Sequence, residues 1–147
     1  MFKVILVPVD GSKHALKAVD VAADLAQKYA AGLLLLSVFR HVSNLESTHS
    51  LIKTDDETGS TEATLRELAR EAIDEALARA RARGVGKIET FVRRGPPART
   101  IVAFAKSKGV DAIIMGSRGL GDISGLLLGS VSHKVSSLAE CTCITVR

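Results

Sequence analysis

A chain of 147 residues, 46% apolar and 24% charged, suits one globular domain over residues 1–147 with a core that needs no covalent staples. Aromatic residues make up only 3% with no Trp, which argues against a stacking platform for single-stranded nucleic acid. The net charge of +4 favours an anionic ligand, but Arg93-Arg94 is the longest run of basic residues, so no nucleic-acid partner is expected.

Cys141 and Cys143 stand too close along an extended segment to close a disulfide easily. A cytoplasmic protein is therefore expected. The opening residues are too short an apolar run for a signal peptide, and no stretch is long enough to span a membrane.

In chain order, Lys3 to Val9 is an apolar, β-branched run ended by Asp10-Gly11-Ser12, the pattern of a strand buried on both faces. Ser12 or Asp10 is the candidate cap of a helix carrying Ala15, Val19, Ala22, Ala26 and Tyr29, with Gly32 as its stop. Leu33 to Phe39 predicts a second buried strand. Arg40 to Thr61 is polar with few apolar anchors and reads as a long surface loop, a candidate lid.

Glu62 to Arg83 predicts an amphipathic helix with Leu65, Leu68, Ala69, Ala72, Ile73, Ala76 and Ala80 on one side. Glu62–Arg66, Arg70–Asp74 and Glu75–Arg79 are spaced for ion pairs on its polar face. Lys87 to Arg93 reads as strand three. Gly95-Pro96-Pro97 then turns into a helix with Ile101, Val102, Phe104 and Ala105, closed by Gly109. Val110 to Met115 is strand four, Val131 to Leu138 a helix and Cys141 to Val146 strand five. Strict strand–helix alternation predicts an α/β fold with a parallel sheet and helices on both faces. Ligands of such sheets bind beyond the carboxyl ends of the strands, which nominates Asp10, Val38 with Phe39, and the residues from Gly116 onward.

Met115 to Ser132 joins a buried strand to a helix through glycines at 116, 119, 121, 125 and 129. A strand, a glycine-rich loop and a helix N-terminus suit an anion, most often phosphate. A flexible loop that merely closes a crossover is the competing reading. No Gly-Lys-Ser/Thr ends the loop, so it is not a P-loop. Ser124 stands where a dinucleotide fingerprint needs its third glycine or alanine.

Gly116, two residues, Gly119, nine residues, then Gly129-Ser130 resembles the G-2x-G-9x-G-S/T pattern of the ATP-binding branch of the universal stress proteins. Val7-Pro8-Val9-Asp10-Gly11-Ser12, Gly95-Pro96 and the segment from Cys141 to Arg147 resemble the same family, leaving only Arg40–Thr61 outside the likeness. The resemblance implies a three-layer sandwich around a five-stranded parallel sheet of order 3-2-1-4-5, the adenine nucleotide alpha hydrolase-like arrangement. It also implies ATP, with Mg²⁺, as the ligand of a stress-response protein, and a homodimer joined through Cys141–Arg147. Pro8, Val9 and Asp10 would lie against adenine and ribose, and the main chain of Val38 would read the base. Met115, Gly116, Arg118 and Gly119 would border ribose and phosphates. Gly129, Ser130, Val131 and Ser132 would hold phosphates through N–H and hydroxyl donors.

Three of these assignments have a plainer structural counterpart. Asp10 and Ser130 also suit helix caps, and Arg118 also suits a solvated loop charge. Of the four histidines, His41 and His49 fall in the polar loop without convincing metal spacing. Cys141 and Cys143 suit packing in an edge strand, and Thr142 stands where the family often has proline. No G-x-S-x-G elbow is present, and Asp10 is the one residue suited to a Mg²⁺ ion or a water near the phosphates. The residues therefore suit a binding protein, at most a slow ATPase, with a nucleotide-free dimeric interaction module as the rival.

Overall fold

The computed structural model describes residues 1–41, 55–121 and 128–147, with 55–60 described by backbone alone. Its elements alternate: β1 (Val4–Pro8), α1 (Lys13–Tyr29), β2 (Gly32–Phe39), α2 (Asp55–Ala82), β3 (Ile88–Arg94), α3 (Pro97–Ser107), β4 (Ala112–Gly116), α4 (Ser130–Leu138) and β5 (Thr142–Val146). The strands pair in parallel in the order β3-β2-β1-β4-β5, the order expected.

β1 lies at the centre because Ile5, Leu6 and Val7 are apolar on both faces, and all three are fully buried. Strand alternation then divides the core. Ile5 and Val7 pack with α1 and α2, while Leu6 packs with α3 and α4. Asp111 fastens the amino ends of β1 and β4, its carboxylate accepting the Lys3 and Val4 N–H groups at 2.7 and 2.8 Å.

Several boundaries differ from expectation for local reasons. α1 ends before Gly32, at Ala30 in the left-handed region (φ 53°), where the Ala31 N–H reaches the Ala26 carbonyl at 2.8 Å. Gly32 instead opens β2. α2 starts at Asp55, seven residues before the expected Glu62, so the loop read over Arg40–Thr61 is helical from 55. Its opening Asp55-Asp56-Glu57 is of residue types that complement a helix N-terminus, although the apolar stripe starts only at Leu65. The remainder of that loop, residues 42–54, lies outside the described residues.

Leu68 is 55% exposed rather than buried with the stripe, because it falls at the margin of the arc marked by Ala69, Ala76 and Ala80. Two of the expected ion pairs are replaced by bridges between elements. Glu62 meets Arg94 at 2.8 Å, and Arg79 binds both oxygens of Asp20 at 2.7 Å.

Candidate functional site

A cavity of about 430 Å³ opens beyond the carboxyl ends of β1, β2 and β4, within the size range of small-molecule sites. Of the twelve residues nominated from the sequence, eleven line it: Pro8, Val9, Asp10, Val38, Met115, Gly116, Arg118, Gly119, Ser130, Val131 and Ser132. Gly129 does not. It is buried behind the lining as the N-cap of α4. The wall also includes Leu120 and Gly121, within the nominated stretch from Gly116 onward, and Ala15, Leu36, Arg40, Pro97 and Ile101, which sequence reasoning missed; Phe39, nominated beside Val38 as a strand-end wall, does not line it. Pro97 and Ile101 are displaced in sequence from the nominated motifs, and only the β2–β1 pairing and the placement of α3 bring them in. Arg40, two residues beyond Val38, was the one legible omission.

The chemistry of the cavity is divided. Parallel β–α units direct helix N-termini toward the carboxyl ends of the strands, and the starts of α3 and α4 both border the space. Each such terminus ordinarily carries four N–H groups without intrahelical partners. At α3 two of the four are missing, because Pro96 is the N-cap and Pro97 the first helical residue. That side offers apolar surface from Pro97, Ile101, Leu36 and Val38. α4 starts instead at Ser130-Val131-Ser132, with main-chain donors and the positive end of the helix dipole. An apolar flat group fits the α3 side, and an anion fits the α4 side.

Asp10 joins the two sides without capping α1. Ser12 is the cap, accepting the Ala15 N–H at 3.2 Å. One Asp10 oxygen accepts the Ser12 N–H at 2.9 Å, and the other accepts the Leu120 N–H at 3.3 Å, tying the turn after β1 to the glycine loop. Gly11 permits that turn with φ +85°. Among the described residues lining the cavity, Asp10 carries the sole carboxylate, set against the cations Arg40 and Arg118.

The glycines have distinct roles. A Cβ on Gly116 would lie 2.7 Å from the His14 carbonyl carbon and 2.8 Å from the Ala15 nitrogen. Glycine is required there so that the start of α1 can touch the end of β4. A Cβ on Gly121 would meet nothing within 4 Å among the described residues. Ser117 is 1% exposed, and its hydroxyl lies 3.2 Å from His14 Nδ1. Neither residue lines the cavity, so this serine–histidine contact packs α1 against the loop.

Ser130 does not cap α4, since Gly129 occupies that position. Ser132 is 5% exposed, and its hydroxyl donates toward the carbonyls of Ser117 and Gly129 at 3.0 and 3.2 Å. Burial raises the pKa of both the Cys141 and Cys143 thiols, which disfavours thiolate and accords with packing of Cys143 in β5 and of Cys141 just before it. His41 approaches Glu62 at 3.8 Å, while His49 lies outside the described residues. No cluster of three or more metal-ligating side chains occurs among the described residues. No described helix is long and apolar enough to cross a membrane.

The profile of the Universal stress protein family matches residues 1–147. Universal stress protein YxiE of Bacillus subtilis is 36% identical over 149 residues, spanning 100% of both chains. Among solved structures, universal stress protein UspA from Lactobacillus plantarum superposes with a TM-score of 0.84 at 26% identity, covering 99% of this chain and 98% of that one. A universal stress protein solved in complex with cAMP gives a TM-score of 0.74 at 25% identity, covering 99% of this chain and 97% of the other. The chain belongs to the universal stress protein family.

Proposed function

We propose that this chain is an adenine-nucleotide-binding stress-response protein, with ATP held in the divided cavity. The observation that carries the reading is the cavity's polarity: an apolar side at the diproline start of α3 and a donor-rich side at the start of α4. Adenine lies against Pro8, Val9, Leu36, Val38 and Ile101. The ribose meets Asp10, and the phosphates meet Arg118, Gly119 and the N-terminal turn of α4. The relative solved with cAMP supports an adenine ligand of this general kind.

Mg²⁺ fits only as a companion of the phosphates. Asp10 is the single lining carboxylate among the described residues, and this ion is commonly bound through one or two carboxylates together with phosphate oxygens. Both Asp10 oxygens already accept N–H donors, which suits holding the nucleotide better than activating water, so hydrolysis is slow if it occurs. Residues 1–147 act as one domain in the cytoplasm. Two copies join through Cys141–Arg147, a reading supported by the place of β5 at the edge of the sheet, where a strand can pair with another chain.

Isothermal titration with ATP, ADP, AMP and cAMP, each with and without Mg²⁺, tests the reading. One nucleotide per chain is the expected result. Folded protein that binds none of the four at millimolar concentration would leave the nucleotide-free interaction module.

A further inference from the structure

Ser132 stands at the place where the resemblance puts a phosphate-binding hydroxyl, and its surroundings assign it another task. A serine hydroxyl carries one proton. Here that proton faces two main-chain carbonyls, Ser117 at 3.0 Å and Gly129 at 3.2 Å, and the residue is 5% exposed. Phosphate oxygens at neutral pH only accept, so they need a donor that this hydroxyl has already committed.

The Ser117 carbonyl also accepts the Gly129 N–H at 2.6 Å. Ser117 precedes residues 118–128 and Gly129 follows them, so two hydrogen bonds on one carbonyl draw the two ends of that stretch together. The Ser117 carbonyl is anchored in turn, because the Ser117 N–H donates to the Val146 carbonyl at 2.7 Å and its side chain meets His14. The first turn of α4 is therefore held to β5 and to α1 through one residue.

We propose that Ser132 is a positioning residue rather than a phosphate ligand: its hydroxyl clamps the neck of the glycine loop and so fixes where the α4 main-chain donors point. This rests on the nucleotide reading for its consequence, but the clamp itself belongs to the ligand-free protein.

The test is native-state amide exchange of Gly129 in nucleotide-free protein, paired with ATP titration, for wild type, Ser132→Ala and Ser132→Thr. Loss of one such hydrogen bond should speed Gly129 exchange about tenfold in Ser132→Ala and weaken ATP by a similar factor, with Ser132→Thr restoring both. Wild-type exchange at Gly129 in Ser132→Ala overturns the clamp, and a weaker ATP affinity alongside it would make Ser132 a direct ligand. Should wild-type protein bind no ATP while Ser132→Ala still speeds exchange, the clamp stands and the nucleotide reading falls. If Ser132→Ala does not fold, Ser132→Cys, a much weaker donor, must show the faster exchange for the clamp to stand.

Discussion

On one face of the sheet, α1 and α2 present Ala15, Ala18, Ala22, Ala26, Ala72, Ala76 and Ala80, all buried. On the other, α3 and α4 present Ile101, Phe104, Ala105 and Val135. Small side chains let helices approach the strands closely, and that face is packed up to the end of β4, where the backbone of α1 excludes any Cβ on Gly116. The second face packs bulkier side chains, and the cavity at the carboxyl end of the sheet draws Leu36, Val38, Pro97 and Ile101 from it, with Ala15 at the start of α1 closing the edge toward the first face. The tethers differ in parallel. Asp20 binds Arg79 and Arg83 at 2.7 and 2.8 Å across the first face. Lys106 and Glu140, on the second, stand 3.9 Å apart with side chains 77% and 83% exposed. One face serves cohesion, and the other trades cohesion for an open site.

The largest way to break this contrast is at the two glycines of one loop. Gly116→Ala should cost about 3 kcal/mol in urea unfolding, because a Cβ would press on main chain that cannot move alone. Gly121→Ala should fall within about 0.5 kcal/mol of wild type, since no described neighbour lies within 4 Å of the added atom. Equal losses at the two positions would mean the packing difference is not what distinguishes them.

Next come two enlargements. Ala76→Leu, at a fully buried site, should lose about 2 kcal/mol. Val38→Leu, facing the cavity, should lose less than about 1 kcal/mol yet weaken ATP roughly tenfold by filling the space meant for the base. The two readouts, unfolding midpoint and titration, should therefore separate by face.

How far these distinctions were legible in the sequence depends on their range. The apolar runs around Ile5, Leu35 and Ile113 made the buried parallel strands plain, and the glycine spacing with Pro8–Asp10 located most of the cavity wall. Alanines read as an ordinary helix stripe, so the closeness of the first face was not visible. Nor could spacing show that Gly116 answers to His14, or that the Ser132 proton goes to Ser117, because each contact joins residues that only the folded sheet brings together. The start of α2 at Asp55 was hidden because no apolar periodicity marks its first turns.

The tethers give the smaller effects. The bidentate hydrogen bond from Arg79, with Arg83 beside it, holds the Asp20 carboxyl below the ordinary aspartate range. A lowered folded-state pKa adds stability above the unfolded value, and that stability disappears as pH falls through the folded one. Asp20→Asn should thus cost about 1 kcal/mol at pH 7, and the gap to wild type should close as pH drops below about 4. Urea midpoints measured from pH 7 to pH 3 check both the size and the sign. Glu140→Gln should change stability by less than about 0.3 kcal/mol over the same range, as expected of an exposed pair.

Backbone chemical-shift mapping during an ATP–Mg²⁺ titration tests the central claim most directly, since it reports on both faces at once. Perturbations should concentrate at the ends of β1, β2 and β4, at Arg40, at the start of α3 and at Ser130–Ser132, while the alanine-lined body of α1 and α2 stays unmoved. Saturable shifts centred on that alanine face, or no shifts in folded protein at millimolar ATP, would contradict the assignment of the open face as the nucleotide site.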